Sequence, residues 1–146
     1  MNRNYTVNTH ILKPVQEVFN AVISKDVLNK YFTDGSNSDL AEGDRVRWRW
    51  NHFGELSVLV KKIIRNELIE LSLDSREWQK TTEDAYDVLV IFEFEATEDG
   101  GTKMSISEQG WQTDAEGLKG SHDNCSGWTH MANCMKAWLE HGIDLR

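Results

Sequence analysis

Proline and cysteine are nearly absent from this chain, which holds one Pro and two Cys in 146 residues. Two cysteines, Cys125 and Cys134, are too few for a disulfide scaffold. The lone proline, Pro14, excludes a Pro-rich linker, and with no internal repeat or low-complexity tract there is no expected domain boundary. Long apolar runs are missing too. The longest, Val88 to Phe92, is five residues, against the ~20 needed to span a bilayer as a helix. The segment Met1-Asn2-Arg3-Asn4-Tyr5 leads into no apolar core of a secretory signal. Positive charge is scarce: 16 Lys and Arg face 24 Asp and Glu, a net charge of -8. That excludes non-specific nucleic-acid binding, which needs phosphate neutralisation, and disfavours adsorption to anionic membranes. Aromatics are plentiful, with six Trp, five Phe and three Tyr, so disorder is excluded. The expectation is one soluble, cytoplasmic globular domain over residues 1–146. At 16.8 kDa it should expose about 7,600 Å² when folded.

Periodicity gives the element order. Tyr5 to Leu12 alternates weakly and reads as a strand. Pro14 suits the first turn of a helix, where its missing N–H costs nothing, and Val15, Val18, Phe19 and Val22 follow at helical spacing. Ser24 or Asp26 can cap a second short helix carrying Val27, Leu28, Tyr31 and Phe32. Thr33 to Gly43 is polar and reads as a loop. From Asp44 the period becomes two: Val46, Trp48 and Trp50 alternate with Arg45, Arg47 and Arg49. Further strands carry Leu56, Val58 and Val60, then Ile69, Leu71 and Leu73. A polar connection from Asp74 to Asp87 leads to a strand with Val88, Val90, Phe92 and Phe94 on one face. Glu98-Asp99-Gly100-Gly101 is a hairpin turn, and Met104, Ile106 and Glu108 share a parity on the returning strand. After Gly110 the period returns to that of a helix. Trp128, Met131, Ala132, Met135, Trp138 and Leu139 fall within an arc of about 120°, and Gly142 is placed to end it. Hairpins demand an antiparallel sheet, so the expected fold class is α+β, with helices on one face of that sheet.

The order of motifs resembles a known family. Pro14-Val15-Gln16-Glu17-Val18-Phe19 followed by Leu28-Asn29-Lys30-Tyr31-Phe32 is similar to the opening helices of the activator-of-heat-shock-protein-90-ATPase-like proteins. Glu42-Gly43-Asp44-Arg45-Val46-Arg47-Trp48 resembles their "GG-x-aromatic" strand. Val90 to Phe94, Gly100 to Met104 and Glu108-Gln109-Gly110-Trp111 resemble their strand-turn-strand signature, and Gly127-Trp128 with Leu139 to Gly142 their closing helix. The resemblance runs from about residue 5 to residue 142. It implies the helix-grip fold of the START-like, or SRPBCC, superfamily, in which a curved antiparallel sheet wraps a long C-terminal helix around a cavity. Lipid and steroid carriers, plant hormone receptors, polyketide cyclases and the co-chaperone itself share it, so fold alone does not name a function. The extra N-terminal domain of the eukaryotic co-chaperone has no counterpart in these residues. No catalytic residue set is carried over.

The first candidate site is a ligand cavity. Its sheet side would be Trp48, Trp50, Val58, Leu71, Val90, Phe92, Phe94, Met104 and Ile106, and its helix side Trp128, Met131, Met135 and Trp138. Methionines adapt to varied ligands and tryptophans give an apolar wall with one donor; the competing expectation is that the same residues fill the core. Glu108, by parity, can point inward as a polar contact or proton-transfer group, or turn to solvent at the strand end. His122, Cys125, His130 and Cys134 are metal-type ligands, but on one helix the two cysteines sit about 13.5 Å apart along the axis, so no metal is expected unless a loop interrupts at Ser126-Gly127. Cys125 and Cys134 are the candidate thiol nucleophiles; Cys134 lies one turn after His130, set against its place beside the apolar arc. Arg45, Arg47 and Arg49 read as a solvated face beside acids such as Glu93 and Glu95, or as an anion site. No common nucleophile, phosphate-loop or metalloprotease motif occurs, and no cofactor is expected.

Three functional readings follow in order. The first is a binding module for a small apolar or amphiphilic molecule held between sheet and helix. The second, implied by the resemblance, is a co-chaperone-like protein whose partner is a heat-shock chaperone and whose effect is to stimulate its ATPase. The third is a cyclase- or hydratase-type enzyme using Glu108 and a cavity water. Either a monomer or a homodimer is compatible with each.

Overall fold

The period-two segments become strands and the period-3.6 segments become helices. In the computed structural model, residues 2–78 and 84–146 are described. The strands are β1 (Tyr5–Ile11), β2 (Gly35–Ser36), β3 (Arg45–Trp50), β4 (Gly54–Ile64), β5 (Leu68–Asp74), β6 (Asp87–Ala96) and β7 (Thr102–Gln109). The helices are α1 (Val15–Ile23), α2 (Lys25–Tyr31) and α3 (Ala115–His141). The sheet is antiparallel with the order β1-β7-β6-β5-β4-β3-β2. Consecutive hairpins build β3 to β7, and the α1–α2 excursion lets β1 close one edge against β7 while β2 closes the other. The accessible surface is 7934 Å², near the value expected for this mass.

Two boundaries differ from the periodicity. The loop after α2 contains β2, two residues that pair with Trp48 and Arg49; a two-residue strand is too short to carry a side-chain period. Part of the connection after β5 is a 3-10 turn, Ser75–Trp78, and residues 79–83 of that connection lie outside the described residues, as does Met1. Ser24 caps α2, its side chain accepting from Val27 N. Pro14 sits at the cap of α1, one position before the first helical residue.

α3 is unbroken for 27 residues. It begins far upstream of the apolar arc, where Asp114 caps it by accepting from Gly117 N at 2.8 Å. Two of its glycines are there because something else occupies the space. A Cβ at Gly117 would lie 2.0 Å from Gln112 O, and one at Gly120 would lie 2.4 Å from the Trp111 ring. Trp111 therefore packs directly against the helix at Gly120. Gly142, at φ 65°, takes the left-handed cap that ends α3. Lys136 Nζ donates to His10 O (2.6 Å) and Glu140 accepts from Leu12 N (3.0 Å), tying the last turns of α3 to the edge strand.

The inward residues of β3 to β7 meet α1, α2 and α3 in one core. Phe19 packs edge-on against Phe94, with ring centroids 5.4 Å apart, and buried Tyr31 donates to Ala21 O at 2.8 Å. Among the described residues, no helix is long and apolar enough to cross a membrane.

Candidate functional site

The space between sheet and α3 does not fill evenly. At one end, where β3 stops, β4 starts and β5 stops, a cleft of about 530 Å³ opens against the middle of α3. Phe32, Trp50, Phe53, Leu56, Leu73 and Trp128 wall it. Asp34, His52, Asp123, Asn124, His130 and Arg146 supply its polar groups. Volume and lining match those of small-molecule pockets, which run to ~300–1,000 Å³ and are apolar with a few placed polar atoms.

Edge-to-face contacts set Phe32 and Phe53 against Trp50, and Phe32 lies tilted against Trp128. Phe32 lies 5.1 Å from Trp50 and 6.1 Å from Trp128, centroid to centroid, and Phe53 lies 5.7 Å from Trp50. Trp50 Nε1 donates to Phe32 O at 2.9 Å, which fixes the indole plane. Phe53, on the β3–β4 turn, is 69% exposed, an aromatic ring left in water at the mouth. Asp34 holds that turn by accepting from Asn51 N at 2.7 Å. Arg146 reaches the same place, donating to Thr33 O at 2.8 Å and pairing with Asp34 at 3.4 Å.

Glu108 lies directly behind the wall. It is fully buried on the inner face of β7, opposite Tyr5 on β1 and Val90 on β6. Trp111 Nε1 donates to Oε1 at 2.7 Å; Trp128 Nε1 and Asn124 Nδ2 donate to Oε2 at 2.9 and 3.1 Å. All three donors are neutral, and among the described residues no Lys, Arg or His forms an ion pair with this carboxylate. A buried carboxylate is tolerable only when hydrogen-bonded in this way. The Tyr5 hydroxyl is buried close by, outside good hydrogen-bond geometry. Burial, and then the neighbouring Glu108 carboxylate, push the Tyr5 phenol far above its usual value, so it stays protonated. Two of the three side chains that Glu108 holds, Trp128 and Asn124, line the cleft.

Residues 13–140 match the family described as Activator of Hsp90 ATPase homolog 1-like protein. The chain belongs to that family. Its fold recurs in a protein from Staphylococcus saprophyticus (21% identity, 97% of this chain and 96% of that one, TM-score 0.74). It recurs in a protein from Mesorhizobium loti (16%, 95% and 99%, TM-score 0.78) and in the Aha1 dimer from Colwellia psychrerythraea (20%, 94% and 98%, TM-score 0.75). At such identities the likeness is one of fold. No curated protein matches the chain.

Within this family member, the residues picked out by periodicity fall into two groups. Trp50 and Trp128 line the cleft. Trp48, Val58, Leu71, Val90, Phe92 and Phe94 are buried in the core on the sheet side. Met104 and Ile106 on β7 and Met131 and Met135 on α3 are buried in the same core, and Trp138 packs half-buried against it. Glu108 points inward but stands behind the cleft wall. Phe32, Asp34, His52, Phe53 and Arg146 were not singled out, because they sit on turns and element ends where no period operates.

The remaining candidates are settled by position. α3 continues through Ser126-Gly127, so His122, Cys125, His130 and Cys134 stay on one helix, and among the described residues no three His, Cys, Asp or Glu side chains gather as metal ligands. Cys134 Sγ lies 3.4 Å from His130 Nε2, yet burial pushes its thiol up, away from the thiolate a nucleophile needs. The arginines of β3 do not sit beside Glu93 and Glu95, because β4 and β5 stand between. Arg47 instead takes Glu55 on β4, through Nε at 3.0 Å and Nη2 at 2.7 Å.

Proposed function

We propose that this protein is a binding module that holds an apolar or amphiphilic small molecule in the cleft between the sheet and α3. The observation that carries the reading is the pairing of an open aromatic cleft with a buried hydrogen-bond anchor behind it. Phe32, Trp50, Phe53 and Trp128 would cover the apolar body of the ligand. Asn124 and the rim would meet its polar end. Glu108 acts here as the anchor of Trp128 and Asn124, and its oxygens are already engaged by three donors, which favours this role over proton transfer to a substrate. The core residues beneath form the floor.

Native mass spectrometry of freshly purified protein tests this. A released small molecule of apolar character is the expected result. A ligand-free mass, together with unchanged Trp50 and Trp128 indole NMR signals across a panel of apolar and amphiphilic compounds, would overturn it.

The family match favours a second reading, a partner of a heat-shock chaperone whose ATPase it stimulates. Stimulated turnover of the chaperone from the same organism would support this reading. No stimulation at saturating protein would remove it.

A further inference from the structure

The charge around the cleft selects among amphiphiles, and this inference rests on the small-molecule reading above. Asp34 and Asp123 stand at the rim, and Glu108 lies behind Trp128 and Asn124 with neutral donors only. Asp144 lies against Arg146, with Arg146 Nη2 to Asp144 Oδ2 at 2.8 Å. Against these four acids stand Arg146, Lys119, whose Nζ is 2.6 Å from Asp123, and Arg49, whose guanidinium donates to Asp34 O at 3.3 Å and to Asn51 Oδ1. Arg146 and Lys119 are committed to rim acids, Arg49 to those two neutral acceptors, and Glu108 has no cation. Its field therefore reaches the cleft through protein rather than through water, where screening is weak. The chain as a whole carries -8. Phe32, Trp50 and Trp128 line the cleft, and aromatic rings attract a cation over their faces.

We infer that the cleft takes a cationic amphiphile, an amine or quaternary ammonium group on an apolar body, in preference to a carboxylate of the same body. The apolar body lies along Leu56, Leu73 and Phe53, and the cationic head sits over the aromatic wall toward Asn124 and the rim acids. An anionic head would face Glu108 behind the wall and Asp34 and Asp123 at the rim.

The test compares three probes with one tail on the whole protein: decyltrimethylammonium, decanoate and decanol, below micelle formation, followed by the indole signals of Trp50 and Trp128. The ammonium should bind about tenfold tighter than the carboxylate, with the gap shrinking as salt is added. Asp34→Asn, which keeps an acceptor for Asn51 N, should narrow the gap by about threefold without depending on the buried Glu108. Equal or tighter binding of decanoate would overturn the cation preference and leave the cleft reading standing. Binding of none of the three would overturn both.

Discussion

The two ends of the sheet–helix interface use the same kinds of side chain to opposite ends. Toward the end of α3, Met131 and Met135 share one core with Phe92, Met104 and Ile106, and every one of these is fully buried. Toward its middle, Trp128 meets Phe32 and Trp50, the apolar layer stops, and the cleft begins. Flexible methionines fill irregular gaps, so the far end closes. Rigid indoles and rings packed edge to face cannot collapse onto one another, so the near end stays open. Trp128 belongs to both, with its ring 5.5 Å from Phe92 and 6.1 Å from Phe32. Glu108 decides which way that ring faces.

The sharpest way to break this contrast is to remove the anchor. Glu108→Ala leaves two indole N–H groups and one amide without acceptors. It should cost about 3–5 kcal/mol, the scale for breaking a buried charged network, read by urea unfolding. Loss of less than about 1 kcal/mol would mean that water reaches the site and that Glu108 pins nothing. Met135→Ala comes next. It opens a void in the filled end and should cost about 2–5 kcal/mol with no change in ligand affinity. An affinity change of more than a few-fold would show that the two ends are not separate.

Legibility in the sequence divides along the same line. The alternation of β3 to β7 and the Trp128–Leu139 arc are consequences of regular geometry, so the sheet, the closing helix and the core were readable. Parity allowed Glu108 the inner face but left a solvent-facing strand end open, and its burial settles the choice. The apolar arc did not mark where α3 starts, because its first turns carry Gly117 and Gly120, poor helix formers kept for close packing of Gln112 and Trp111. The cleft mouth was not readable either. His52 and Phe53 come from a turn, and Arg146 reaches Thr33 O across 113 positions of sequence, a proximity only tertiary structure creates.

Trp48 sharpens the comparison from within the core. Among the described residues it is the largest fully buried side chain, and its Nε1 finds no hydrogen-bond partner among them. Trp128, at the boundary, has its Nε1 satisfied by Glu108. Trp48→Phe removes an orphaned donor along with some volume. The two effects oppose each other, and the net cost should be about 1 kcal/mol or less. Trp128→Phe removes a satisfied donor and leaves Glu108 Oε2 with Asn124 alone, so it should cost more than Trp48→Phe. The reverse order in thermal unfolding would show that packing volume, not hydrogen bonding, governs both.

Phe53 is the opposite extreme, a residue with almost no stake in stability. At 69% exposure its ring gains little by folding, and Phe53→Ala should change unfolding free energy by no more than about 0.5 kcal/mol. Its contact with Trp50 nevertheless completes the mouth of the cleft. A single exposed ring is ordinary on a protein surface, but this one borders the aromatic wall and lines the cleft, within reach of a bound tail. Phe53→Ala should therefore weaken binding of an apolar tail by about tenfold, the worth of one well-packed ring at ~1.4 kcal/mol. A titration of decyltrimethylammonium by indole fluorescence separates the cases. Weaker binding at unchanged stability assigns Phe53 to the ligand, whereas unchanged binding would place the ligand deeper, against Leu73 and Trp128, and leave Phe53 outside the site.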